Sequence, residues 1–455
     1  MKLRLRSKFT GVLAIAIAAG GMAATVSGTQ AVSAAGSDST LVCADGVYDA
    51  QDNSVTFDLD ARQGYIEMPD GNTLYVWSYS EAANPLFQFP GPNLCVDQGE
   101  TVRVNFRNPA PFADTLGGGV SADATSIVFP GQVGVTATGG SAGLLTQEVE
   151  TPADVVTYEF VAGAPGTYMY ESGTDPAVQV EMGMFGGLVV YPNIGRHQAY
   201  AGHEFDPEHE YLLLFHEIDP VLHTEVELAV LAGAATDATV LENYDPLDRH
   251  VRYWTINGRS FPDTIAENGT PILPFQPYSS LVQINADDPN DGYTQMPSLV
   301  RYGNAGLQNH AFHPHGNSLV LIAQDARLLA DEVESYTKTV ASGQTYDVLA
   351  EWKDVEAWQG SGVPVGINLP ALNNTTFKDG VTWYSGSPDL GFEQQLPAGT
   401  TTFTQCGEYY FPWHNHALNR TQNFDEGFGG MLTLWRVDPP KEFINGAWTT
   451  PAACQ

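Results

Sequence analysis

Apolar residues recur along the chain in short runs, some alternating with polar residues and some unbroken, and Gly, Pro, Asn and Asp separate them. Thr73–Ser78, Thr101–Phe106, Val155–Phe160, Leu188–Tyr191, Tyr211–Phe215, Ser280–Ile284, Ser318–Ala323, Tyr346–Trp352 and Gly430–Val437 are of this kind. A period of two puts every second side chain on one sheet face, so such runs predict strands. Many short strands with turn signals and no regular helical spacing between them predict an all-β chain of β-sandwiches. One segment, Pro220 to Ala235, spaces its apolar residues as a short helix does.

A polar stretch around Pro192–Pro207 divides the chain, and each half closes on a similar phrase. Gly166-Thr-Tyr-Met-Tyr170 precedes Gly186-Gly-Leu188, and Gly407-Glu-Tyr-Tyr-Phe411 precedes Gly429-Gly-Met431. A Gly–aromatic strand followed by a Gly-rich turn into a last apolar strand, twice over, predicts two copies of one sandwich. The expected divisions are residues 36–195, a larger second domain over 196–440, and a tail over 441–455.

Composition narrows the function classes. The chain has 455 residues, 19 basic and 53 acidic side chains and a formal charge of −34. Without a basic stripe, binding nucleic acid through phosphate neutralisation is excluded. Lys2, Arg4, Arg6 and Lys8 precede an apolar stretch from Gly11 to Val26 and the small residues Val32-Ser33-Ala34-Ala35. That order predicts a secretion signal over residues 1–35, cleaved to release a protein outside the cell or at its surface. The remaining 15 basic against 53 acidic groups give −38, a charge that attracts cations. No later stretch is long enough to span a membrane. Cys43, Cys95, Cys406 and Cys454 are even in number and none is spaced as a metal site, so two disulfides are expected. Of three pairings, Cys43–Cys95 with Cys406–Cys454 is the most local.

The candidate chemistry lies in histidines. Five of the 11 fall in two clusters, Asn309-His310-Ala-Phe-His313-Pro-His315-Gly316 and Trp413-His414-Asn415-His416. A spacing of two puts both rings of the His313/His315 and His414/His416 pairs on one strand face. Two such strands side by side present four imidazoles to one volume, with His310 as a fifth ligand or a supporting group. Neutral imidazole suits copper, zinc, iron or nickel, and spacing alone does not choose among them.

With these motifs the chain resembles the multicopper oxidases, proteins of the cupredoxin fold. His310–Gly316 resembles a family copper motif, and His414–His416 with its Gly-rich turn resembles the closing copper motif. Thr125-Ser-Ile127, Gly166-Thr-Tyr168, Gly183-Met-Phe-Gly186 and Thr255-Ile-Asn-Gly-Arg259-Ser-Phe-Pro262 match the framework. The resemblance runs over roughly residues 70–437 and implies two cupredoxin-like Greek-key β-sandwich domains. It also marks departures. Val128-Phe129-Pro130-Gly131 stands where the family has a His-x-His-Gly ligand segment, and Glu171-Ser172-Gly173 where it has His-Ser-His. Asn415 replaces the thiolate cysteine of the blue site, Arg420 stands near its second histidine, and Phe428 stands near its axial methionine. A blue centre depends on copper–thiolate bonding, so no laccase-type relay is expected.

The expected site is therefore one copper, with zinc as an alternative, on His313, His315, His414 and His416. Glu171 is a candidate carboxylate ligand or proton acceptor there, against the plainer reading of a strand-end glutamate. His310 and His414 stand 104 residues apart, and the long insertion Asp354–Thr402, with Trp358, Trp383 and Tyr384, is a candidate wall over the metal. His216-Glu217-Ile-Asp219 with His223 reads as a hydrogen-bonded strand-to-helix junction rather than a second metal site. The sequons at Asn268 and Asn374 suggest exposed loops. Three functions follow: an exported copper-dependent oxidoreductase using a small-molecule reductant, an extracellular copper-sequestering protein, or a structural cell-surface sandwich.

Overall fold

A computed structural model describes residues 40–109, 124–231, 245–287, 294–352, 409–424 and 429–438, with short strands at 375–376, 382–383, 426–427, 442–444 and 447–449. The 354–402 insertion thus lies almost wholly outside the described residues, as do the signal segment, Cys406, Cys454, Asn374 and Phe428.

The first half folds as the alternation requires. Strand β1 (Ser54–Glu67) pairs antiparallel with β2 (Thr73–Glu81). The short strand β3 (Leu94–Asp97) precedes β4 (Thr101–Arg107), which lies parallel to β1 and antiparallel to β5 (Val156–Val161). The facing sheet sets β6 (Gly166–Glu171) antiparallel to β7 (Phe185–Tyr191), which runs parallel to β3. Val55, Phe57, Leu59 and Ala61 of β1 meet Leu94, Val96, Tyr168, Tyr170, Leu188 and Val190 in one core. Each Val, Leu or Phe among them contributes roughly 1.5–3 kcal/mol by leaving water. The disulfide Cys43–Cys95 ties the chain's approach to β3, which is the expected local pairing.

The second half repeats the plan on a larger scale. Strand β8 (Glu210–Ile218) leads into helix α1 (Pro220–Leu231) and then β9 (Tyr253–Ile256). Among the described residues one sheet orders β13 (Leu319–Gln324), β16 (Thr345–Ala350), β11 (Ser298–Asn304), β8 and β9. Its mate orders β10 (Val282–Asn285), β18 (Leu432–Asp438), β17 (Tyr409–Asn415), β12 (His310–Pro314) and β15 (Lys338–Val340). Strand β14 (Arg327–Ser335) borders the first of these sheets beside β13. Tyr211, Leu213, Phe215, Val300, Tyr302, Phe312, Trp413 and Trp435 belong to the core between them.

A third apolar layer joins the two sandwiches. Met169 and Phe185 of the first and Leu212 and Leu214 of the second share it, so β8 is buried on both faces and reads as an unbroken apolar run. Helix α1 lays Leu222 and Val226 against the first core, and Asp219 Oδ1 accepts from the N–H of Val221 at its start. Arg301, fully buried, donates to Glu210 (2.7 Å) and Asp347 (3.3 Å), while Tyr191 donates to Glu210 and both Thr167 and Tyr200 donate to Asp347. This buried network links the two sandwiches through Arg301, Glu210, Asp347 and Thr167.

Candidate metal centre

Strands β12 and β17 lie antiparallel in a register that pairs His313 with His414, Phe312 with Asn415 and Pro314 with Trp413. Beyond the strands, His315 N–H donates to Pro412 O (2.9 Å) and His416 N–H to Ala311 O (2.7 Å). The pleat then sorts the side chains. His310, Phe312, Trp413 and Asn415 turn to the core, while His313, His315, His414 and His416 share the other face.

On that outer face the rings gather closely. Centroids lie 5.1 Å apart for His313–His315, 5.0 Å for His315–His414, 5.6 Å for His313–His414 and 4.9 Å for His313–His416. Ligand nitrogens of His313, His315 and His414 lie within 4.8 Å of one another. His416, exposed, stacks on His414 at 5.9 Å and marks the solvent side.

Hydrogen bonds fix which nitrogens face the centre. His313 Nδ1 donates to Tyr336 O (2.6 Å) and contacts Thr337 Oγ1 (2.9 Å). His414 Nδ1 donates to Asn415 O (2.9 Å). Each ring therefore keeps its Nε2 lone pair, the arrangement that outer hydrogen bonds impose on metal-binding imidazoles. The Nε2 atoms of His315 and His414 stand 3.0 Å apart. Two imidazoles bound to one metal at about 2.0–2.1 Å and roughly 90–109° place their nitrogens about 2.8–3.4 Å apart, so the pair fits a common ion. Burial, helped by the neighbouring imidazoles, lowers the His414 pKa to about 4 and lowers that of His315 as well. Both are neutral, ligating bases at neutral pH.

The inner face carries a different assembly. His310 Nδ1 accepts from Asn415 Nδ2 (2.9 Å) and Arg420 Nη1 (3.2 Å), and its Nε2–H donates to Glu217 Oε2 (3.1 Å). Asn415 also reaches Met431 Sδ (3.4 Å), and its Oδ1 accepts from Ala417 N–H (3.0 Å), which orients the amide. Burial lowers the His310 pKa, so the ring is neutral with its one lone pair already filled. The structure accordingly does not bring His310 to the other four histidines. A blue copper site does not fit here, since a cationic guanidinium and an amide stand against the imidazole nitrogen.

Glu217, missed as a functional residue, anchors this inner assembly. Its Oε1 accepts from the N–H groups of Leu307 (2.7 Å) and Gln308 (2.8 Å) and from Arg249 (2.8 Å). Burial pushes the carboxyl up, but its bonds to His310 and the charge of Arg249 prevail and hold it down to about 2. Gly306 permits this packing, because a Cβ there would come within 1.9 Å of Glu217 Oε2. The His216–His223 segment is the expected hydrogen-bonded junction. His216 Nε2 bonds Val180 O (3.1 Å), and His223 bonds Tyr75 O (2.5 Å) and Glu181 O (3.2 Å). Asn268, expected in an exposed loop, is half-buried and uses its amide to bond Thr40 O and the Ser279 N–H.

In the first sandwich, Val128 and Glu171 bridge each other through their backbones (2.8 and 3.1 Å), so the two segments that lack the family histidines do lie side by side. Val128 and Phe129 offer apolar side chains there, and Ser172 Oγ is bonded to Gln179 and Thr174. Among the described residues, the group of ligand atoms within 4.8 Å holds three histidines, and Glu171 is not with them.

Comparison with known proteins agrees with this frame. Residues 87–194 match the sequence profile of the multicopper oxidases. The solved blue copper oxidase of Nitrosomonas europaea is 18% identical and similar over 84% of this chain and 85% of its own, with a TM-score of 0.52. A structure described as multicopper oxidase mgLAC gives 18% identity, 84% and 86% coverage and the same TM-score. No protein of curated function matches the chain in sequence. At this identity the structural likeness establishes the cupredoxin-type fold alone, and the histidines of the second sandwich must be argued from their own geometry.

Proposed function

We propose that the chain is an exported, copper-dependent oxidoreductase with one non-blue copper on His313, His315 and His414, and with His416 as a fourth imidazole at the solvent side. The observation that carries this reading is the 3.0 Å approach of the His315 and His414 Nε2 atoms beside His313, with the opposite nitrogens of His313 and His414 engaged by hydrogen bonds. Copper bound there supplies one-electron redox chemistry. The protein's part is to hold neutral imidazoles on two rigid strands and to draw cations through its formal charge of −34. A small-molecule reductant is the proposed partner, and the basic-then-apolar N-terminus supports release outside the cell.

A second reading, copper sequestration, draws on Asn415 and Arg420, which leave no thiolate path into the centre. Metal analysis with visible and electron-spin-resonance spectra tests both. About one copper per chain without an intense blue band, reduced by an added donor, supports the oxidoreductase. Copper bound but not reduced supports sequestration. No copper after loading, or zinc in its place, overturns the redox reading.

A further inference from the structure

Three tryptophans connect the histidine centre to the surface, and they do so from the core side. Trp413 immediately precedes His414 on β17 and is fully buried. Its ring centroid lies 5.4 Å from that of Trp435 on β18, and Trp435 lies 5.3 Å from Trp352. Trp435 also donates its indole N–H to His315 O (2.9 Å), so it is hydrogen-bonded to the backbone of one ligand and packed on the neighbour of another. Trp352, half-buried, lines a cleft with Asn285, Asp287, Gln295, Met296 and Glu351. The carboxylates there favour a cationic visitor.

Indole is among the most readily oxidised side chains, and a row of rings at van der Waals spacing with a hydrogen bond at its end couples donor and acceptor better than aliphatic packing. We propose that Trp352, Trp435 and Trp413 form an electron path from an outer-sphere donor in the Trp352 cleft to the copper held by His313, His315 and His414. The proposal rests on the copper reading above. One electron leaves the donor and one arrives at Cu(II), giving the oxidised donor and Cu(I). No bond is made or broken, and each indole ends neutral with its N–H in place. The path would serve where Asn415 removes the thiolate route.

The test uses the full chain loaded with Cu(II), with hexaammineruthenium(II) as the cationic one-electron donor and the decay of the Cu(II) spin-resonance signal as readout. Trp352→Phe touches no ligand and should slow reduction about ten-fold with copper affinity and the Cu(II) spectrum unchanged. Trp435→Phe, which also loses the bond to His315 O, should slow it at least as much, and Trp254→Phe should not change it. Wild-type rates in both Trp352→Phe and Trp435→Phe would overturn the path and place electron delivery at the His416 side. A wild-type chain that takes up no copper would overturn the copper reading and the path together.

Discussion

Asn415 donates its side-chain N–H to Nδ1 of His310 across 2.9 Å, on the buried side of the strand whose other face presents His414. One residue of pleat thus separates two kinds of chemistry: metal-competent imidazoles outside, and a metal-excluding network of amide, guanidinium and carboxylate inside. The His310 ring is bonded at both nitrogens without an ion, because Arg420 and Asn415 donate to Nδ1 and Glu217 accepts from the Nε2–H.

Restoring a cysteine at position 415 therefore does not restore a blue centre. Asn415→Cys removes one donor to His310, but Arg420 still holds the same lone pair and repels a second cation. The copper-loaded variant should show no intense blue absorption and lose about 1–3 kcal/mol of stability in urea unfolding, from the weakened buried network. A strong blue band would show that Arg420 moves aside.

The outer and inner histidines should separate cleanly in metal analysis. His313→Ala and His414→Ala each remove an imidazole from the group and should weaken copper binding by more than about 100-fold, beyond the 10–100-fold cost of losing a supporting partner. His310→Gln should leave affinity within a few-fold and lower stability by about 2–4 kcal/mol, because Glu217 loses a buried partner. Equal metal loss in all three variants would join His310 to the site.

Much of this was legible in the sequence for a simple reason. Period-two spacing is geometric, so His313/His315 and His414/His416 had to share strand faces, and the apolar alternation of β1, β4 and β5 had to build a sandwich. The spacing of three from His310 to His313 carried the opposite message, since an odd offset on a strand puts the rings on opposite faces. What the sequence hid depends on distant pairing. Glu217 and Arg420 meet His310 from two separate segments, with Arg249 behind Glu217 from a third, and no local pattern marks a residue for a partner 93 or 110 positions away. The Val128–Glu171 bridge joins two segments named as substituted, yet only the fold shows that they are neighbours.

Acid should destabilise the protein through His216, a buried histidine outside the His313, His315 and His414 group. Burial lowers its pKa to about 3, and its bond to Val180 O needs only one N–H. Below pH 6.5 the unfolded chain protonates this ring while the folded chain does not, so the unfolded state binds more protons and stability falls as pH falls. The loss begins near 6.5 and continues to about 3, at up to about 1.4 kcal/mol per pH unit. Urea midpoints between pH 7 and 4 measure this. Replacing His216 by Gln, whose amide N–H can keep the bond to Val180 O, should flatten the slope, and an unchanged slope would assign the acid sensitivity elsewhere.

The sharpest stability prediction concerns Arg249, whose guanidinium joins Glu181 of the first sandwich to Glu217 of the second. Burial raises the Glu181 carboxyl to about 8 even with Arg249 pulling it down, whereas Glu217, with its backbone N–H and His310 donors, stays ionised. At pH 7 the Glu181 carboxyl is therefore mostly protonated, and the charged pair is Arg249 with Glu217. Arg249→Met would leave the ionised Glu217 buried without its guanidinium. The expected loss is about 3–5 kcal/mol at pH 7, read from urea unfolding, because removing one partner of a buried ion pair strands the other. Adding Glu181→Gln to that variant should change little, since the amide replaces a neutral carboxyl. If Arg249→Met alone matched the wild type, Glu217 would be held by its backbone N–H and His310 donors rather than by the charge of Arg249.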